Sequence, residues 1–121
     1  MYDSMKDLNV FRKAYQLSLE VHRRSLSFPA LEQTDLASQL RRASKSICAN
    51  LIEGKGKQQS DKEMCRYVSI AIGSNDEVKL WLSYAKDLGY ISESESNHWR
   101  NGYEEVGKML YGLKRRLKQT T

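Results

Sequence analysis

Four groups of residues in this chain have the types and spacing that chemistry requires. The first is Glu95-Ser96-Asn97-His98, a Glu-x-x-His pattern. On a helix, a carboxylate and an imidazole three residues apart share one face. Carboxylate-bridged di-iron bundles use two such pairs and two further glutamates, all pointing inward. This chain has one pair, at a position where Glu95 also suits a helix cap, and His22 offers a second imidazole at the same end. The second group, Gly54-Lys55-Gly56-Lys57, lacks the spacing of a phosphate-cradling loop and follows a helix rather than a strand. The third is the pair of cysteines, Cys48 and Cys65. Neither has metal-ligand spacing or a nearby histidine in sequence, so both read as reduced core or interface thiols. The fourth is a set of cations: Lys55, Lys57, Lys62, Arg66, Lys114, Arg115, Arg116 and Lys118. Clustered cations bind phosphate by releasing counterions, whereas lysines and arginines at helix C-termini also merely offset the helix dipole.

These residues need helices to position them. The 121-residue chain has one proline, Pro29, and a hydrophobic fraction of 40%, enough for one core. The first helix reads from Leu8 to Ser27, with Val10, Ala14, Leu17 and Val21 on its stripe. It stops at Phe28-Pro29, because the residue before proline is pushed from helical angles. The second starts near Thr34, read as its N-cap, carries Leu36, Leu40, Ala43, Ile47 and Leu51, and ends at Gly54 to Lys57, where glycine suits a left-handed cap. The third opens with the capping box Ser60-Asp61-Lys62-Glu63. Its seam of Met64, Val68, Ala71, Val78, Leu82 and Ala85 is interrupted by Asn75, and Leu88-Gly89 closes it. The fourth opens with a second box, Ser92 to Glu95, and carries Trp99, Tyr103, Val106, Leu110, Leu113 and Leu117. Short connections make successive helices antiparallel, so the expected fold is an all-α, up-down-up-down four-helix bundle spanning residues 1–121 as one domain.

That topology sets further expectations. A polar stripe on the second helix, Gln39, Arg42, Ser46, Asn50 and Glu53, faces the third, and the hairpin register puts Arg42 near Glu77. A guanidinium and a carboxylate so placed are expected to form an ion pair that fixes packing. The ends of the second and fourth helices meet the starts of the first and third, which gathers the cations above, with Lys6, at one pole. Tyr67, Trp81, Tyr84, Trp99, Tyr103 and Tyr111 could stack bases but read first as core or interface anchors. Leu80 and Trp81 lie beside the third seam, so that helix presents apolar groups on more than one side and suggests a subunit contact. The net charge of +5, from 20 basic and 15 acidic residues, favours an anionic partner only weakly. No stretch reaches the ~20 apolar residues of a membrane span. The N-terminus has no basic segment followed by an apolar run, so a cytoplasmic protein is expected.

Several short motifs, in order, resemble one family. They are Ser38-Gln39-Leu40-Arg41-Arg42-Ala43, Ser46-Ile47, Asn50-Leu51-Ile52-Glu53-Gly54, Ser69-Ile70-Ala71, Gly73-Ser74 and Glu77. Asp7-Leu8, Val10-Phe11, Phe28-Pro29 and the segment from Ala85 to Tyr90 extend the match. Together they resemble the four helix bundle protein family, also called the 23S rRNA-intervening sequence protein family. The resemblance implies a four-helix bundle and a ring-shaped homopentamer. Some members are encoded inside intervening sequences of ribosomal RNA genes. A similar bundle serves diversity-generating retroelements, binding reverse transcriptase and nucleic acid, so RNA, DNA or a nucleic-acid enzyme is the implied partner. The chain departs from the pattern at Cys48, where proline is usual, at Ile72, often arginine, and at Lys79, often acidic. Three functions stay open: an oligomeric, non-catalytic binding module for nucleic acid or a nucleic-acid enzyme, a purely structural or protein-interaction scaffold, and, most remotely, a metal-dependent enzyme. The first is the expectation, with no catalytic, cofactor or metal residue assigned.

Overall fold

Apolar residues at three- and four-residue spacing run through four stretches, and each stretch forms one helix. The computed structural model of the chain describes residues 5–56 and 60–119, with side chains from Asn9 onward. The helices are α1 (Met5–Ser25), α2 (Leu36–Gly56), α3 (Asp61–Asp87) and α4 (Glu93–Gln119), with a 3₁₀ turn at Ala30–Glu32 between α1 and α2. Successive helices pack together and α4 returns against α1, while the diagonal pairs make no close backbone approach. The fold is therefore an all-α, antiparallel four-helix bundle. Its core is continuous across all four stripes, from Val10, Ala14 and Val21 of α1 to Tyr103, Val106 and Leu110 of α4. No helix among the described residues is long and apolar enough to cross a membrane.

The helix ends are built mostly as their sequences require. Ser60 caps α3 by accepting from the Glu63 backbone N–H at 3.2 Å. At α4 the box is reciprocal: Glu95 N–H donates to Ser92 Oγ at 3.0 Å, and Ser92 N–H donates to the Glu95 carboxylate at 2.8 Å. Gly89, at φ +83°, ends α3. Its N–H reaches Lys86 O at 3.0 Å and the Tyr90 N–H reaches Ala85 O at 2.8 Å, a Schellman closure that needs glycine's left-handed freedom.

Two expectations at α2 are corrected. Thr34 does not cap it. The buried Glu32 carboxylate accepts from Leu36 N–H at 3.3 Å and from the Tyr90 hydroxyl at 2.8 Å, so one acid serves the helix start and anchors the α3–α4 loop. Gly54 is not a left-handed cap either. It is buried inside the last turns of α2, where an added Cβ would lie 2.6 Å from Met64 Sδ and 2.8 Å from Tyr67 Cβ. Its role is to let α2 and α3 approach closely.

Candidate nucleic-acid interface

The first turns of α3 and the last turns of α4 lie side by side because the chain enters one where it leaves the other. Lys62, Cys65, Arg66 and Ser69 from α3 line a groove with Lys114 and Lys118 from α4. Lys62, Arg66 and Lys118 are exposed, and Lys114 is half-buried. Glu63 holds Arg66 at 3.1 Å, and the Arg66 guanidinium sits 4.6 Å from the Tyr67 ring centroid. The expected basic set thus divides. Lys62, Arg66, Lys114 and Lys118 share this groove. Arg115 lies further along the same helix pair, with Lys79 and Lys108. Arg116 turns toward the α1 side, beside Asn9 and Met109. Lys55 is half-buried at the end of α2, and Lys57, like the Lys6 side chain, lies outside the described residues.

Dipole compensation accounts for Lys118 in the last turn of α4, but not for Lys62. Lys62 stands in the first turn of α3, where the helix dipole is positive and a cation is disfavoured, while Arg66, a turn further in, is held by Glu63.

Further along, α3 and α4 enclose a second cavity, lined by Ile72, Asn75, Gly107, Lys108, Tyr111 and Arg115 among others. Asp76 and Glu104 mark its far end, both held by Lys79, at 3.6 and 3.0 Å. Asn75, the residue that interrupts the α3 seam, is 1% exposed. Its Nδ2 donates to the Tyr103 carbonyl at 3.0 Å, and its Oδ1 has no partner among the described residues. The seam break was legible in the sequence; the orphaned acceptor was not.

The expected Arg42–Glu77 ion pair is not formed. Both residues are exposed and line one polar groove with Gln39, Ser46 and Ser74, as the hairpin register requires, but neither reaches the other. The α2–α3 polar contact is made by shorter groups: Ser46 and Ser74 hydroxyls at 2.8 Å, with Asn50 donating to Ser46 O at 2.8 Å and to its Oγ at 3.0 Å. Exposed charges keep their water and gain little from pairing.

The Glu-x-x-His pattern is absorbed into structure. Glu95 caps α4 and takes the Arg24 guanidinium at 2.8 Å, which holds its carboxyl below the usual range; the Ser92 N–H adds to the effect. His98 and Trp99 both reach Glu20, at 3.1 and 2.9 Å. Burial alone would raise Glu20, but the hydrogen bonds from Trp99, Gln16 and His98 outweigh it and leave its carboxyl lowered. His22 does not join them. It lies on the α1–α2 side with Lys45 and Cys48, and burial, then Lys45, Arg41 and Arg23, lower its pKa. The same burial raises the Cys48 thiol to about 11, so it does not ionise readily beside His22. Among the described residues, no three histidine, cysteine, aspartate or glutamate side chains gather to hold a metal.

Bundle topology and groove together define the class: a four-helix bundle with a cationic channel between its last two helices. The chain belongs to the 23S rRNA-intervening sequence protein family, whose model matches residues 6–112. It is similar to a solved protein of unknown function, from the S23 ribosomal protein family of Bacteroides thetaiotaomicron VPI-5482. The two share 25% identity and a TM-score of 0.81, over 92% of this chain and 99% of that one. No curated protein matches. Neither the family description nor the neighbour's names a catalytic activity.

Proposed function

We propose that this protein is a non-catalytic binding module that takes nucleic acid in the basic α3–α4 groove. One observation carries the reading. Lys62, placed against the α3 dipole, converges with Arg66 of α3 and with Lys114 and Lys118 of α4 on a single groove. A reading in which cations serve only as helix caps explains Lys118 and leaves Lys62 without a reason. Fluorescence anisotropy with a labelled oligonucleotide at low salt tests it: saturable binding that weakens as salt rises is expected. Absence of binding to any nucleic acid at low salt would return the protein to the scaffold reading.

The proposed module is a homo-oligomer, with a pentamer as the expected stoichiometry. Leu80 and Tyr84 are about half exposed on α3, next to half-buried Trp81, and an exposed apolar strip of this kind favours a subunit contact. The same strip supports the second reading, a scaffold whose partners are proteins. Light scattering at micromolar concentration should give a mass several times the 14.0 kDa chain. A monomer across that range would refute assembly; a dimer or tetramer would refute the pentamer alone.

A further inference from the structure

Building on that reading, we infer that the α3–α4 groove takes a single strand, with phosphates on its basic half and one unstacked base in the cavity floored by Asn75. The two halves of the groove differ in chemistry. Lys62, Arg66, Lys114 and Lys118 occupy the first. The second has apolar and aromatic walls: Ile72, only 7% exposed, and Tyr111, 48% exposed. Tyr111 stacks on no other ring among the described residues, so one face of its ring is available to a base.

Asn75 supplies the polar contact. Its Nδ2 donates to the Tyr103 carbonyl and its Oδ1 is unpaired and closed to solvent, so a base engages that oxygen as the side chain turns toward the cavity. A buried acceptor without a donor is unfavourable. Each nucleobase carries an N–H group on the edge it uses for pairing, and so can supply that donor. Gly107 keeps Asn75 approachable from α4. A Cβ there would meet nothing within 4 Å except Asn75 Nδ2, at 3.1 Å, so the glycine leaves open space that any side chain would occupy. The cavity, of about 360 Å³, falls within the size range of small-ligand sites.

Charge sets the direction of the strand. Asp76 and Glu104 close the far end, where Lys79 holds both and leaves the trio one net negative charge, against the four cations at the other end. Lys108 and Arg115 stand at the cavity rim, where the phosphate of the inserted nucleotide would lie. From Lys62 to Asn75 the α3 axis advances about 20 Å, room for a few nucleotides. A duplex does not satisfy this geometry. Its bases are stacked inside, and bringing one to the cavity floor requires flipping it out against its pairing energy.

The experiment uses the whole protein at low salt and four labelled probes of equal length: single-stranded DNA, the same RNA, the DNA duplex, and a single strand with abasic sites at its central positions. Both intact single strands should bind at least about fivefold more tightly than the duplex. Abasic sites should weaken binding roughly five- to hundredfold, the range for loss of one stacked base. Tyr111→Ala should produce a similar loss on the intact strands and little on the abasic one, while Tyr111→Phe should bind like the wild type. Circular dichroism of the variants checks folding. As a second readout, the Asn75 side-chain amide resonance should shift with the intact strand and not with the abasic one. Equal binding of intact and abasic strands, or equal losses on both with Tyr111→Ala, would overturn the base cavity while leaving phosphate binding in place. If no probe binds, the proposed function falls, and this inference with it.

Discussion

Glu95 belongs to two structures at once, a helix cap and a bridge between helices, and its acidity records both. Its carboxyl is held below its ordinary value, first by Arg24 and then by the Ser92 N–H. A carboxylate whose folded pKa is depressed stabilises the fold fully above its unfolded value, and that stability is lost as pH falls through the folded value. Glu95→Gln should therefore cost about 1 kcal/mol at neutral pH, the usual scale of a cap or a part-exposed ion pair. The difference from wild type should shrink toward zero below the carboxylate range, which urea unfolding at the two pH values would read. An undiminished difference in acid would show that the glutamine harms packing and that charge has little part in it. The cysteines allow a second check at this scale. Cys48 is 9% exposed with its thiol pushed up to about 11, whereas Cys65 is half-buried on the basic groove. Alkylation of the native protein at pH 8, followed by mass spectrometry, should modify Cys65 first and Cys48 only on unfolding. Modification of both at equal rates would contradict the burial of Cys48.

Between elements, the closest fit is α2 on α3, and Gly54 permits it. Gly54→Ala would drive a methyl group to 2.6 Å from Met64 Sδ and 2.8 Å from Tyr67 Cβ. Met64 can bend away, but the Tyr67 Cβ is tied to the backbone, so the helices must part. Overpacking of this kind costs about 1–3 kcal/mol, against a small gain in helix propensity; an unchanged midpoint in thermal unfolding would contradict the close approach. The sequence showed glycine at the right place and suggested the wrong reason for it. Local signals were legible: both capping boxes, the Gly89 closure and the four stripes follow from residues within a few positions of one another. Signals that cross the chain were not. Arg24 meets Glu95 across 71 positions, and Glu32 meets Tyr90 across 58; nothing local in either partner names the other. Arg42 and Glu77 show the intermediate case. Helical periodicity and hairpin register put both on one groove, but they do not determine whether long, hydrated side chains close the remaining gap. The basic groove was read as part of a broader pole, because sequence order cannot say that Arg115 and Arg116 turn to different sides of α4.

At the scale of the whole molecule, the two ends of the bundle are built differently. The end carrying the α1–α2 and α3–α4 turns is stitched together: Arg24 reaches Glu95 and the Tyr90 carbonyl, Glu32 reaches Tyr90 and α2, and Arg41 reaches Ser25 and Gln33. The opposite end collects Lys62, Arg66, Lys114 and Lys118, with Glu63 on Arg66. If phosphate binds there, position must matter as well as total charge, and a charge-matched pair of variants separates the two. Replacing Lys62, Arg66, Lys114 and Lys118 with glutamine lowers the net charge from +5 by four, to +1. Replacing Arg23, Arg42, Lys45 and Lys86, which lie off the groove, lowers it equally. On a single strand that neutralises about four phosphates, the log of affinity should fall with the log of salt at a slope near −3. The first variant should lose most of both affinity and slope. The second should keep the slope and weaken only modestly, because charges beyond a Debye length of ~10 Å at 0.1 M salt are largely screened. Circular dichroism should show both fully helical, since the substituted residues are surface groups and glutamine is a good helix former. Equal weakening in the two variants would mean that the strand responds to the field of the whole chain, and the groove would lose its claim to be the site.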